Sequence, residues 1–309
     1  MKKILIVGEL LVDMISEEYA SDLSKVRKFE RSFAGSPGNL AANLQGLGIE
    51  AILLAALGND PFGKGYLKWL NSIHVNTSYI SVVNHHTSMV FVTKSRGTPQ
   101  FMPVRGADYH LSIPHNLDEL FNDVYFLHFT SWPVSRKPAR TTVKKLLELA
   151  RDKGIYICLD PNYSPVLWKE PKAKSVKIML EFMNNVYLAK PSLDDSERIF
   201  GKLSAEKYLE LYHSFGVKNV LLTLGAEGVL ISDGKCKEAL PSLTERVVDT
   251  TGAGDAFWSG LYCGLLKGLD IFEAAKLGNA AAAFRIENEN KSLPIPEYEK
   301  LIELLSERG

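Results

Sequence analysis

The chain has 309 residues, 46% of them apolar, which is enough for one large α/β core or two modest domains. Its 36 Lys and Arg balance 36 Asp and Glu, so no long-range field draws it to nucleic acid or an anionic membrane, and small neutral or mildly charged ligands fit better. The 3 cysteines, Cys158, Cys236 and Cys263, form no C-x-x-C pair and no even framework, which argues against a disulfide scaffold or a cysteine metal site and suits a reducing cytoplasm.

Lys2-Lys3 before Ile4-Leu5-Ile6-Val7 imitates a signal peptide, but Glu9 and Asp13 interrupt the apolar run too early, so it reads as the first strand. No uncharged apolar run approaches the ~20 residues of a membrane span. Similar runs follow at Ala51 to Leu57, Val124 to Phe129, Ile155 to Leu159, Val186 to Leu188 and Val220 to Leu224, with helical-period stretches between them. That alternation predicts an α/β fold with a mainly parallel sheet covered by helices on both faces. Pro37 after Ser36 and Pro61 after Asp60 read as first-turn prolines behind helix N-caps. No repeat, low-complexity tract or linker divides the chain, so a single domain over 1–309 is expected.

Two stretches, about 14–34 and 84–111, lack long helical periodicity. The second reads as a hairpin, Met89 to Thr93 and Gln100 to Val104, around Ser95-Arg96-Gly97-Thr98. Together they could pair into a small sheet standing off the core.

Polar residues gather where the predicted strands end, which in an open parallel sheet is where ligands bind. Asp160 ends one run, Lys190 follows the next, Thr223 and Gly225 close the Val220 run, and Gly252 follows Val248. Each has a capping or turn explanation of its own. Their coincidence favours a shared site.

The most informative stretch is Val247 to Gly260, V-V-D-T-T-G-A-G-D-A-F-W-S-G. A β-branched pair, a glycine turn and an alanine- and aromatic-rich segment suggest strand, tight loop and helix start. The N–H groups of Gly252, Ala253 and Gly254 would then face out unpaired at the positive end of a helix, an anion site. Asp255 would repel a phosphate unless its task is to take a proton from a hydroxyl beside one, with the helix end keeping it ionised. A P-loop is excluded because Asp255-Ala256-Phe257 replaces Gly-Lys-Ser/Thr, and the dinucleotide fingerprint lacks its third glycine at Phe257.

Asp249-Thr250-Thr251-Gly252-Ala253-Gly254-Asp255-Ala256-Phe257 resembles the C-terminal signature of the ribokinase-like (PfkB-type) carbohydrate kinases. Ala34-Gly35-Ser36-Pro37-Gly38-Asn39-Leu40-Ala41-Ala42, followed by Gly58-Asn59-Asp60-Pro61-Phe62-Gly63, resembles their second signature, and the likeness runs from Gly8 to about Phe284. It implies a three-layer α/β/α fold whose small sheet is a lid over the sugar and in several members a homodimer contact. It implies Asp255 as general base, the 252–254 amides as anion hole, and Asp13, Gly35 and Asn39 as the grip on the sugar. ATP is expected over Thr223, Gly225 and Gly228, reaching toward Asn279, with Mg2+ as its ion and Lys190 countering phosphate charge.

Departures from the pattern sharpen the reading. Ser192-Leu193-Asp194-Asp195 stands where many relatives carry Asn-x-x-Glu near the magnesium. Asp160-Pro161-Asn162-Tyr163 lacks the arginine that acidic-sugar kinases place there, leaving Arg105 in the lid as the candidate partner of a substrate carboxylate. The family's monovalent-cation loop is replaced by Glu287-Asn288-Glu289-Asn290-Lys291, so potassium would rest on Asp249 and Thr251. The leading expectation is a fructokinase-like transfer from ATP to a primary hydroxyl of a monosaccharide. Ribokinase, 2-keto-3-deoxygluconate kinase and nucleoside kinase are the alternatives within the family. A non-catalytic sugar or nucleotide sensor is the rival from another class, and His128, Trp258, Cys158 and Cys263 read as structural.

Overall fold

The computed structural model describes residues 2–95, 100–288 and 295–308. Thirteen strands occur in chain order: β1 Lys3–Val7, β2 Leu11–Tyr19, β3 Phe29–Ala34, β4 Ala51–Gly58, β5 Ile80–Val83, β6 Ser88–Lys94, β7 Phe101–Val104, β8 Val124–Thr130, β9 Tyr156–Asp160, β10 Leu188–Ala189, β11 Asn219–Thr223, β12 Val229–Ser232 and β13 Lys237–Leu240. Nine of them form one sheet in the order β13-β12-β11-β10-β9-β8-β1-β4-β5, parallel from β11 to β5 and antiparallel only at the β12 and β13 edge. The predicted runs coincide with these strands to within a residue or two. β10 is the exception, reduced to Leu188–Ala189 because β9 and β11 pair with it over only that length.

Strand alternation builds the two covering layers. Leu5 and Val7 face one core with Leu127, Phe129 and Ile157, closed by Val143, Leu146, Leu147 and Ala150 of the Ala139–Asp152 helix. Ile4 and Ile6 face the other with Phe126 and Cys158, closed by Leu40 and Leu44 of the Ser36–Gly46 helix and by Trp258 and Leu261 of the Ala253–Leu266 helix. The fold is a three-layer α/β/α sandwich, as the resemblance implied.

The two aperiodic stretches form a second sheet, β3-β2-β6-β7, in which β6 and β7 are the expected hairpin and β2 runs parallel to β6. β2 starts at Leu11 rather than at 14, which places Asp13 inside this sheet between Ser32 and Val90. Of the turn expected around Ser95, residues 96–98 lie outside the described residues, as do 289–291 of the C-terminal loop.

The Ala253–Leu266 helix is seated by close backbone contact with the Ile271–Glu287 helix. A Cβ on Gly260 would come within 2.4 Å of the Leu277 carbonyl, and one on Gly264 within 2.8 Å of Ala274 Cα. Such a contact leaves little freedom to slide, so the amino end of that helix is held in place over the sheet edge.

One expectation fails. Val247 and Val248 form no strand, and Val247 is 69% exposed. The pair is too short to recruit a strand partner. The N–H groups of Val248 and Asp249 instead donate to the Ile286 carbonyl (3.0 and 3.1 Å), one of the acceptors that the end of a helix leaves open.

Candidate active site at the carboxyl edge of the sheet

Parallel register sets the first part of the site side by side. Thr130 of β8 pairs with Asp160 of β9, and Lys190, just past β10, donates its main-chain N–H to the Leu159 carbonyl at 3.0 Å. Lys190 Nζ then lies 3.2 Å from Asp160 Oδ2, which also accepts from the indole N–H of Trp258 at 2.8 Å. Trp258 is fully buried as core, as expected, but its polar edge orients a site carboxylate.

Gly252 starts the Ala253–Leu266 helix with φ 77°, a left-handed conformation that favours glycine, and a Cβ there would meet nothing within 4 Å. The loop therefore faces open space. Of the three amides expected to be free, Ala253 is not, because its N–H donates to the Thr250 carbonyl at 3.2 Å. Gly252 and Gly254 find no main-chain acceptor outside the helix among the described residues, and a Cβ on Gly254 would lie 3.4 Å from Lys190 Nζ. Two amides, a helix end and one lysine thus converge.

Asp255 sits one residue further, 9% exposed. Ser36 Oγ donates to its Oδ1 at 2.6 Å and Asn39 Nδ2 to its Oδ2 at 2.9 Å, both from the first turn of the Ser36–Gly46 helix. Burial pushes its pKa up from 3.8 to about 6, opposed by the Ser36 and Asn39 hydrogen bonds and by Lys190, and reinforced by Asp160. The helix end was expected to keep this group firmly ionised. Desolvation outweighs it and leaves a carboxylate whose proton affinity lies close to neutral pH.

On the other side of this carboxylate, Gly35 has φ 108°, and a Cβ there would lie 2.5 Å from the Glu9 carbonyl, so the turn admits no side chain. Tyr66 is fully buried, donates to the Ala34 carbonyl at 2.8 Å, and is pushed well above its ordinary range by burial and then by Asp13, Glu9 and Asp255. The fields of those three carboxyl groups therefore converge on one phenol, although they come from β2, the turn after β1 and the Ala253–Leu266 helix.

The sequence matches the pfkB family carbohydrate kinase profile over residues 1–297. The chain belongs to the pfkB family of carbohydrate kinases. It is 40% identical over 298 residues to an ATP-dependent 6-phosphofructokinase of Thermoanaerobacterium thermosaccharolyticum, covering 96% of this chain and 92% of that one. Among solved structures it resembles the Halothermothrix orenii fructokinase (38% identity, TM-score 0.82, covering 93% of this chain and 99% of the other). It also resembles an uncharacterized sugar kinase of Pyrococcus horikoshii in complex with ATP (29% identity, TM-score 0.83, covering 99% and 100%). This pfkB kinase is an ATP-dependent carbohydrate phosphotransferase. Among its described residues no helix is long and apolar enough to cross a membrane.

The residues expected to meet ATP divide. Gly225 has φ 63° with open space where a Cβ would be, as a close-lying nucleotide needs. Gly228 does not: a Cβ there would lie 2.1 Å from the Leu240 carbonyl, so its glycine serves the packing of the β11–β12 turn against β13. Thr223 Oγ1 lies 3.4 Å from the Pro191 carbonyl, and Asn279 Nδ2 donates to the Pro241 carbonyl at 2.7 Å. Gly228 and Asn279 thus anchor the 240–242 segment. Asp249 Oδ1 accepts from the Thr251 N–H at 2.9 Å, a local turn on the loop before the helix.

Arg105 is turned away from the expected role. Its side chain is 1% exposed, and its donors go to Asp108 Oδ2, Ser135 Oγ, and the carbonyls of Leu167 and Trp132. Asp108 also accepts from the Trp132 indole at 2.6 Å and from Ser88 Oγ. A guanidinium so enclosed is the knot between the smaller sheet and the large one, and has no donor left for a substrate carboxylate.

Ser36, Glu9 and Arg285 are the site residues that sequence reasoning missed. Ser36 lay inside a quoted motif, and its proximity to Asp255 across 219 positions has no local signal. Glu9 shows only as a charge ending an apolar run. Arg285, buried in the Ile271–Glu287 helix, donates to Asn43 Oδ1 at 3.0 Å and is acted on by Asp255. Asp195, which stands where many relatives carry the glutamate of Asn-x-x-Glu, closes a capping box with Ser192 and accepts the Tyr163 N–H at 2.6 Å.

Proposed function

We propose that this kinase transfers the γ-phosphoryl group of ATP to a primary hydroxyl of a neutral monosaccharide, fructose first among candidates, with Asp255 as general base. The observation that carries this is Asp255 itself, a buried carboxylate tuned to about 6 beside the open Gly252 and Gly254 amides and Lys190. The sugar O–H gives its proton to Asp255, its oxygen forms the new bond to the γ-phosphorus, and the bond to the β-phosphate oxygen breaks, releasing ADP. The two amides and Lys190 take up charge on the phosphoryl oxygens. Ser36 and Asn39 aim the base.

Asp13 and the Gly35 backbone hold the sugar in this reading, with Asn39 shared between the sugar and Asp255. Thr223 and Gly225 border ATP, and Gly228 and Asn279 shape its edge indirectly. Mg2+ fits as an ion carried on the nucleotide: no three metal-binding side chains meet among the described residues, and magnesium is commonly held by substrate phosphates and water. So held, it would offset part of the phosphate charge beside Lys190. A potassium ion, if one activates the enzyme, would use Asp249 and Thr251.

The choice of a neutral sugar rests on charge. Asp13 and Asp255 lie toward the sugar end, and Arg105 is spent on Asp108, which disfavours sugar acids and sugar phosphates. The 6-phosphofructokinase relative favours the phosphosugar as second reading. We also read the chain as one domain in which the smaller sheet acts as the lid, with exposed Tyr19, Phe101 and Met102 offering a dimer surface. The deciding experiment is coupled ADP detection with fructose, fructose 6-phosphate, ribose, 2-keto-3-deoxygluconate and adenosine. ADP release dependent on fructose supports the reading. Sugar-independent or absent release favours a sensor, and preference for fructose 6-phosphate overturns the neutral-sugar choice.

A further inference from the structure

Glu9 leaves β1 at the same carboxyl edge and is 2% exposed, yet among the described residues no cation pairs with it. Its partner is the Thr130 hydroxyl, which donates to Oε2 at 3.1 Å while Thr130 Oγ1 also accepts the Trp132 N–H at 3.2 Å to cap the short helix after β8. The Glu9 carbonyl fills the space under Gly35. The charges that act on it come from Asp255 of the Ala253–Leu266 helix and from Asp108 and the Asp108-bound Arg105 after β7, and it acts in turn, with Asp13 of β2, on Tyr66 of the Pro61–Ser72 helix. A buried carboxyl group among carboxylates, with a hydroxyl for company, is far cheaper to keep protonated than charged.

We propose that Glu9 is a positioning residue that works as a neutral acid, holding Thr130 without adding charge beside Asp255, and that its ionisation sets the alkaline limit of sugar use. Burial is the main cause of its elevated pKa, about 8, opposed by hydrogen bonds from its own main-chain N–H and from Thr130, with Asp108 and Asp255 adding to the rise. The activity readout rests on the sugar-kinase reading; the two structural readouts below do not.

Glu9→Gln keeps the shape and cannot ionise. With fructose, wild-type kcat/KM falls about tenfold per pH unit above about pH 8, while E9Q stays flat there and within about threefold of wild type at neutral pH. Glu9→Ala loses more than about tenfold at neutral pH, in KM more than in kcat. The same alkaline fall in E9Q, or full activity in E9A, overturns the proposal. Independently, wild-type enzyme with 13C-carboxyl glutamate shows one resonance titrating near pH 8 that is missing in E9Q. If every glutamate titrates in the ordinary range the proposal fails, and this measurement needs no variant to fold. The unfolded chain loses the Glu9 proton near 4.5 and the folded chain near 8, so wild type loses stability relative to E9Q as pH rises through that window. A Tm difference that does not change across it also overturns the idea.

Discussion

Replacing Asp255 with Asn separates the base from the cap. The carboxylate accepts from both Ser36 and Asn39, whereas an asparagine can accept only from Asn39 and must donate its NH2 to Ser36 Oγ, turning the part-buried Ser36 proton away from its partner at roughly 1–3 kcal/mol. Against that stands relief. The rise from 3.8 to about 6 means that holding the charge costs the folded state about 3 kcal/mol at neutral pH. The sign follows from linkage: the folded chain keeps a proton that the unfolded chain loses above 3.8, so wild type loses stability as pH rises toward 6, and D255N does not. The two terms nearly cancel, so D255N is expected to melt within a few degrees of wild type at neutral pH and to be the less stable protein near pH 4. Turnover behaves otherwise. Without a base, kcat falls about a hundredfold to ten-thousandfold, equivalent to roughly 3–5 kcal/mol of transition-state stabilisation, while ATP affinity stays within a few-fold. Wild-type kcat/KM should also fall about tenfold per pH unit below about pH 6, a limb that D255N lacks. The measurements are coupled ADP release across pH, ATP titration calorimetry and thermal melts. A loss in kcat under about tenfold, a persisting acid limb, or lost ATP binding with preserved turnover would refute the base assignment.

Three further outcomes follow from the same geometry. Asp13→Ala should raise the sugar KM at least about tenfold with little change in ATP affinity, and an unchanged sugar KM in steady-state assays removes Asp13 from the site. Lys190→Met leaves Asp160 buried without its cation, costing roughly 3–5 kcal/mol in denaturant melts; adding Asp160→Asn should recover much of that stability but not kcat, and recovered turnover would make the pair purely structural. Gly228→Ala drives a methyl into the Leu240 carbonyl and should lower Tm, whereas Gly225→Ala enters open space at positive φ, costs only about 1 kcal/mol of backbone strain and should act on the KM for ATP. Equal effects of the two alanines on Tm and KM would contradict this division.

Much of the fold was written in local pattern. A run such as Ala51 to Leu57 is apolar on both faces and only fits a strand covered twice, so the sheet, its parallel sense and the edge where the polar residues gather were legible. The glycine loop and Asp255 were legible too, since a helix start announces itself in the residues that make it. What only tertiary structure decided was which groups face one another. Asp255 meets Ser36 and Asn39 from a distant helix, Arg105 is spent on Asp108, and Glu9 is buried without a paired cation among the described residues. Gly225 and Gly228 look alike in sequence, yet one faces open space and the other a carbonyl. The reason is physical: backbone preference acts over a few residues, whereas desolvation, hydrogen-bond supply and the space beside a Cα depend on neighbours that the chain brings in only when it packs.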